Sequence, residues 1–156
     1  MTRTPTEAVL GLWRTIAARD FARLDAWVTD DCLYLDMPVG ATLAARGPVD
    51  IAKRLSVGLA GLAAYDNHDG LLVADGDAVM YEHSETWTFD TGETFVLPFA
   101  TVHRVRDGKV SLWKDYWDYG AIMNHAPTAW VEGLANADTS WVYDATADLA
   151  KVDARS

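Results

Sequence analysis

Two acidic residues and a histidine stand on strand faces that are otherwise apolar, and proton transfer is the chemistry they suit. In Ala78–Phe89 (AVMYEHSETWTF), a two-residue period puts Val79, Tyr81, His83, Glu85, Trp87 and Phe89 on one face. Met80, Glu82, Ser84, Thr86 and Thr88 fall on the other. The first set is apolar and aromatic, so it is the face expected to be buried. An unpaired charge is costly there, and His83 and Glu85 therefore need partners. The same period on Val110–Tyr119 groups Ser111, Trp113, Asp115, Trp117 and Tyr119 against Lys114, Tyr116 and Asp118. The Trp-rich set is the expected inner one, and it carries a second carboxylate, Asp115. On Thr94–Arg106, Phe95, Leu97, Phe99, Thr101 and His103 share a face. Tyr34 and Asp36 alternate along Cys32–Met37 and are placed to meet the others from a further strand. A carboxylate base, a phenol and an imidazole that exchanges protons near neutral pH form an acid–base set.

The elements that must position these residues are legible in order. Thr4-Pro5-Thr6-Glu7 is a helix start, with Thr4 as N-cap, Pro5 in the first turn and Glu7 closing a capping box. Val9, Leu12, Trp13, Ile16 and Ala17 continue an apolar stripe to about Arg19. Asp20 is expected to cap a short helix over Phe21–Val28, with Leu24 and Trp27 inward. Asp30-Asp31 reads as a turn before the Cys32–Met37 strand, which ends at Pro38–Gly40. Gly47–Leu59 (GPVDIAKRLSVGL) predicts a third helix. The period then changes. Leu71–Ala74, Ala78–Phe89, Thr94–Arg106 and Val110–Tyr119 are predicted strands, separated by the hairpin signals Asp75-Gly76-Asp77, Asp90-Thr91-Gly92 and Asp107-Gly108-Lys109. Helices followed by a meander imply an α+β fold with the helices on one face of a curved antiparallel sheet. Beyond it, Ala129–Asn136 and Thr139–Lys151 are predicted helices. Their Trp130, Leu134, Trp141 and Leu149 are too apolar for a free tail, and they are expected to cover the mouth of the sheet or a partner.

Composition narrows the function. At 156 residues the chain is one domain by length, and its seven Trp suffice for a core plus an aromatic cavity wall. A formal charge of −10 argues against nucleic acid and membrane surfaces as partners. Cys32 is the single cysteine, which leaves no intramolecular disulfide and no thiolate cluster. No apolar run reaches the length of a membrane span and the N-terminus has no signal-peptide core, so a soluble, cytoplasmic protein is expected. His83, Glu85 and Asp115 lack the second well-placed His that a metal site would want, and no metal or cofactor is expected. His68 and His125 read as solvated loop histidines.

The order of elements, YLDMP in the first strand and SLWKDYWDYGAI in the last resemble the SnoaL-like proteins and limonene-epoxide hydrolases. These belong to the nuclear-transport-factor-2-like (NTF2-like) superfamily. The resemblance implies a cone-shaped sheet over residues 1–123, with 124–156 as a helical extension of the same domain. In the epoxide hydrolases an Asp at the position of Asp115 activates water, helped by a Tyr that matches Tyr34 and an Asn where Asp36 stands. A proton-donating Asp falls at Glu85, and an Arg that joins the two carboxylates falls at His83. Three of those five positions depart from the pattern. The reading is a cofactor-independent acid–base enzyme acting on a hydrophobic small molecule by isomerisation, dehydration or cyclisation. Asp115 is the base, Tyr34 and Asp36 support it, and His83, oriented by Glu85, carries the proton. Trp87, Leu97, Phe99, Thr101, His103, Trp113 and Trp117 are expected to bind the substrate. An epoxide hydrolase and a non-catalytic ligand-binding module are the alternatives. Homodimerisation is expected through the outer sheet face, which carries Met80, Thr86, Thr88, Val96, Val102 and Tyr116.

Overall fold

The computed structural model describes residues 2–153. Helix α1 (Pro5–Ala17) starts as its capping box dictates: the Glu7 amide donates to Thr4 Oγ1 at 3.2 Å, and the Thr4 amide donates to Glu7 Oε2 at 2.8 Å. Its Val9, Leu12, Trp13 and Ile16 are buried. Gly11 lies mid-helix because a Cβ there would run into the Trp27 ring. Gly11→Ala gains at most about 1 kcal/mol of helix propensity. Overpacking against the indole costs about 1–3 kcal/mol. The substitution is therefore expected to lower stability, read as an earlier urea midpoint.

The second predicted helix is a 3-10 helix, Phe21–Ala26, and β1 (Val28–Asp36) follows at once. Asp30 and Asp31 are not a turn but part of β1, whose register against β6 shifts between Val28 and Leu33. The irregularity lets both acids stand away from the core, where Arg106 Nη2 meets Asp31 Oδ1 at 2.5 Å. A short β2 (Ala45–Arg46) leads into α2 (Gly47–Leu59), which has the predicted limits. Strands β3 (Ala64–Asp75), β4 (Ala78–Thr88), β5 (Thr94–Arg106) and β6 (Lys109–Trp117) form the antiparallel meander. β3 starts seven residues before the predicted Leu71. As the last strand of the sheet it exposes polar residues such as Asp66 and His68, which hides its β character in the sequence. His68 is thus a strand residue, bonded at 2.8 Å to Thr86 Oγ1.

The six strands run in the order β2-β1-β6-β5-β4-β3, with β1 parallel to β6, in a curved open sheet of NTF2-like fold. Helices α1 and α2 pack on its inner face, where Leu12, Trp13, Ile51 and Leu55 meet Tyr34, Tyr81, Trp87, Leu97 and Trp113. Behind β1 and β6, Leu33, Leu35 and Leu112 form a second cluster with Ala145. The alternation of β1 therefore sends Tyr34 and Asp36 inward and its leucines outward.

Beyond β6 the chain makes α3 (Tyr119–His125), α4 (Thr128–Gly133), a 3-10 turn (Leu134–Asn136) and α5 (Thr146–Asp153). Tyr119 opens a helix rather than ending β6. The predicted helix Thr139–Lys151 exists only in its second half. Asp138 and Asp144 accept from the amides of Ser140 and Thr146, and these local bonds compete with helix. Between them Tyr143 pairs with Ala44 as an isolated antiparallel bridge. Leu149 packs on the second cluster and Trp141 joins the main core. Among the described residues no helix is long and apolar enough to cross a membrane. The outer face of the sheet exposes Leu71, Val73, Met80, Val96 and Tyr116.

Candidate active site

A cavity of about 290 Å³ opens between α1, α2, the inner sheet face and the segment that follows β6. Three carboxylates reach it. Cross-strand register places Asp36 directly beside Asp115, while Glu85 is paired with Leu97, four residues along β5 from the Thr101 that faces Asp115. The curl of the sheet brings all three to one space. Each is 2–4 % exposed.

The partners of these acids follow one pattern. An indole N–H binds each: Trp113 Nε1 donates to Asp115 Oδ1, Trp87 Nε1 to Glu85 Oε2 at 2.8 Å, and Trp117 Nε1 to Asp36 Oδ1 at 2.8 Å. Trp113 and Trp87 are two residues from their acids, hence on the same strand face. Tyrosines complete two of the three sites. Tyr34 Oη donates to Asp36 Oδ1 at 3.0 Å and Tyr65 Oη to Glu85 Oε1 at 2.5 Å. Among the described residues Asp36 alone of the three has a cation in contact, with Arg54 Nη2 at 2.5 Å from its Oδ2.

The electrostatics separate the acids. Burial, then the neighbouring Asp36 carboxylate, pushes the Asp115 carboxyl well above the usual carboxylate range; Trp113 pulls the other way and Glu85 adds to the rise. Burial and the Asp36 and Asp115 carboxylates likewise raise the Tyr34 phenol, so it remains a donor. Tyr65 is raised by burial and Glu85. Burial opposes charge on Arg54 and is the largest single influence, but Asp36, Tyr34 and Asp115 together outweigh it and the guanidinium is held charged.

Tyr34, Asp36, Glu85, Trp87, Phe99, Trp113, Asp115 and Trp117 all line the cavity, as do Trp13 and Arg54. His83, Leu97, Thr101 and His103 are buried but are not among its lining residues. His83 is packed between the rings of Tyr81 (4.7 Å) and Phe99 (5.2 Å), with Trp13 at 4.1 Å. Its Nε2 is 3.7 Å from Glu85 Oε1, too long for a hydrogen bond, and neither ring nitrogen has a hydrogen-bond partner among the described residues. The predicted convergence thus holds for Glu85, Asp115 and Tyr34, while His83 stands one layer back. His103 accepts from Trp13 Nε1 at 3.4 Å, and burial lowers its pKa to about 3.

That depression has a pH signature. A histidine held neutral in the fold adds stability that is complete above its unfolded pKa of about 6.5 and is lost as pH falls toward about 3. The loss approaches about 1.4 kcal/mol per pH unit in that window. His103→Gln keeps an acceptor for Trp13 and is expected to flatten this acid limb, seen in urea midpoints at pH 7 and pH 4.5.

Several residues of the site were not singled out from the sequence. Arg54 sits beside the buried stripe Gly47, Ile51, Leu55 and Leu59, and an arginine on that flank is the signal that could have marked it. Tyr65 belongs to the part of β3 hidden by polar residues. Trp130, Leu134 and Trp141 of the final segment line the cavity together with Ile122 and Met123, so this segment covers its mouth as expected.

Comparison with known proteins fits this geometry. The chain belongs to the SnoaL-like domain family, whose model matches residues 9–113. No curated protein matches the sequence. Among solved structures it is similar to an LEH-like epoxide hydrolase from M. tuberculosis, with TM-score 0.63 and 23% identity over 84% of this chain and 92% of that one. It is also similar to TerC, co-crystallised with polyporic acid, with TM-score 0.68 and 21% identity over 78% of this chain and 98% of that one. IdmH from Streptomyces antibioticus, a candidate polyketide cyclase, gives TM-score 0.68 and 18% identity over 78% and 97%. These likenesses establish the fold.

Proposed function

We propose that the protein is a cofactor-independent acid–base enzyme that moves a proton on a hydrophobic small molecule, in an isomerisation, dehydration or cyclisation. One observation carries this reading: Asp115 faces an aromatic cavity with no cation against it among the described residues, while its neighbour Asp36 is neutralised by Arg54. A carboxylate whose affinity for a proton is raised by burial is a stronger base than one in water. In the reaction, Asp115 takes a proton from a carbon next to a carbonyl. Tyr34 lies beside it; its single O–H, on Asp36 in the free protein, turns to the oxygen on which charge develops, while Arg54 remains on Asp36 to compensate the carboxylate left without that donor. Asp115, now protonated, returns the proton at a second position. His83 stands 3.7 Å behind Glu85 and does not touch the substrate; Tyr65 and Trp87 position that carboxylate.

A second reading, epoxide opening by activated water, is favoured by Glu85, a second cavity carboxylate that could donate a proton to an epoxide oxygen. Isotopes separate the two. A panel of aromatic and alicyclic ketones and epoxides is incubated with the protein in D₂O and in H₂¹⁸O. Deuterium entering next to the carbonyl is the expected result, and ¹⁸O in a diol product transfers the assignment to epoxide opening. A panel with neither label would remove the enzyme reading and leave a ligand carrier.

A further inference from the structure

Six of the seven tryptophans, Trp13, Trp87, Trp113, Trp117, Trp130 and Trp141, line this one cavity, together with three carboxylates. That combination has a consequence for what the cavity accepts. Three of these indoles spend their N–H on the carboxylates, so they offer a ligand their π surface rather than a donor. Indole faces carry the negative side of the ring quadrupole and attract cations more strongly than Tyr or Phe do. Arg54 is the one cation among the described lining residues, and Asp36 neutralises it at 2.5 Å. Among the described residues Glu85 and Asp115 have no cation in hydrogen-bonding contact. Nor are the acids gathered as a metal ion would need: among the described residues no three His, Cys, Asp or Glu side chains come together in that way.

The cavity already holds one cation by these means. The Arg54 guanidinium lies 5.4 Å from the centre of the Trp141 ring while it touches Asp36. We propose that the substrate is a hydrophobic amine, bound as its ammonium ion against the tryptophan faces with Asp115 and Glu85 as counter-charges. This rests on the acid–base reading of the same site and adds the chemical class of the molecule. An anion is disfavoured, because its only countercharge is taken. A neutral molecule makes no use of the two carboxylates. The net charge of −10 draws cations toward the protein before any contact.

Binding of the ammonium is then coupled to the base. Asp115 is faced by Tyr34 and Asp36 from β1, Arg54 from α2, Glu85 from β4 and Tyr65 from β3. The nearby carboxylates favour its protonated form. A bound cation opposes them, so Asp115 gives up its proton to solvent as the substrate enters. The bound cation thus raises the share of Asp115 that is ready to act as base.

The test compares three probes by titration calorimetry at pH 7: benzyltrimethylammonium, its neutral carbon isostere neopentylbenzene, and phenylacetate. The ammonium is expected to bind about tenfold tighter than the isostere, with phenylacetate weakest. Its binding heat should vary with the ionisation enthalpy of the buffer, which reports proton release. Asp115→Asn should abolish that variation and shrink the preference, and Glu85→Gln, a second variant should the first fold poorly, should shrink the preference alone. Equal binding of ammonium and isostere, or tighter binding of phenylacetate, overturns the proposal. Such a failure is distinguishable from failure of the acid–base reading, because deuterium exchange into a neutral ketone would still occur and would still require Asp115.

Discussion

Asp115→Asn is expected to lower turnover by about a hundredfold to ten-thousandfold, the usual loss for one essential acid or base. Asparagine keeps the size of the side chain and an oxygen for Trp113 Nε1, so binding of a neutral apolar ligand should stay within a few fold. Stability should move the other way. A buried acid whose folded pKa is raised contributes stability that is fully present below its unfolded pKa of about 4 and is lost as pH rises through the folded value. Asparagine has no such loss. The variant should therefore match the parent in strong acid and exceed it at neutral pH, as catalytic groups held at an energetic cost often allow. Steady-state kinetics and urea unfolding on one preparation read both effects. Loss of turnover with a large loss of stability at pH 7 would instead mark Asp115 as part of a structural network.

Arg54→Met should have the largest effect on folding. Asp36 is 4 % exposed, and the Arg54 side chain 18 % exposed, so the substitution strands a buried carboxylate whose remaining donors among the described residues are Tyr34 and Trp117. Removing one member of a buried pair costs about 3–5 kcal/mol, whereas an exposed pair is worth about 1 kcal/mol or less. Partial exposure of Arg54 favours the lower end, about 3 kcal/mol, a large part of the stability of a domain this size. Adding Asp36→Asn removes the stranded charge while keeping an acceptor for Tyr34, and most of the loss should return. Urea denaturation of the single and double variants measures this. A single-variant loss below about 1 kcal/mol would show that water already screens the pair.

What the sequence revealed depends on how local the governing physics was. The capping box at Thr4 and Glu7, the Pro48-containing start of α2 and the strict alternation of β4 and β5 are decided by neighbours in the chain, and all appear at their predicted places. The inward placement of Glu85, Asp115, Tyr34 and Asp36 follows from the same alternation. The remaining features depend on contacts made only in the fold. Arg54 stands on a helix and meets Asp36 across the cavity, so no spacing in the sequence joins them. His83 shares a face with Glu85, yet the rings of Trp13 and Phe99 separate it from the cavity. Alternation gives a side chain its face but not its depth. The Tyr143 bridge to Ala44 joins residues about a hundred positions apart, and the helix predicted across it yields to local Asp caps.

The protonation of Asp115 can be measured without knowing the substrate. Protein labelled with ¹³C at aspartate carboxyl carbons is titrated by NMR, with Asp115→Asn identifying the resonance. The account predicts a midpoint well above the ordinary carboxylate range, shifted down by a saturating amine. A midpoint near 4, unmoved by any ligand, would contradict it and leave Asp115 an ordinary buried acid with no special claim to the chemistry.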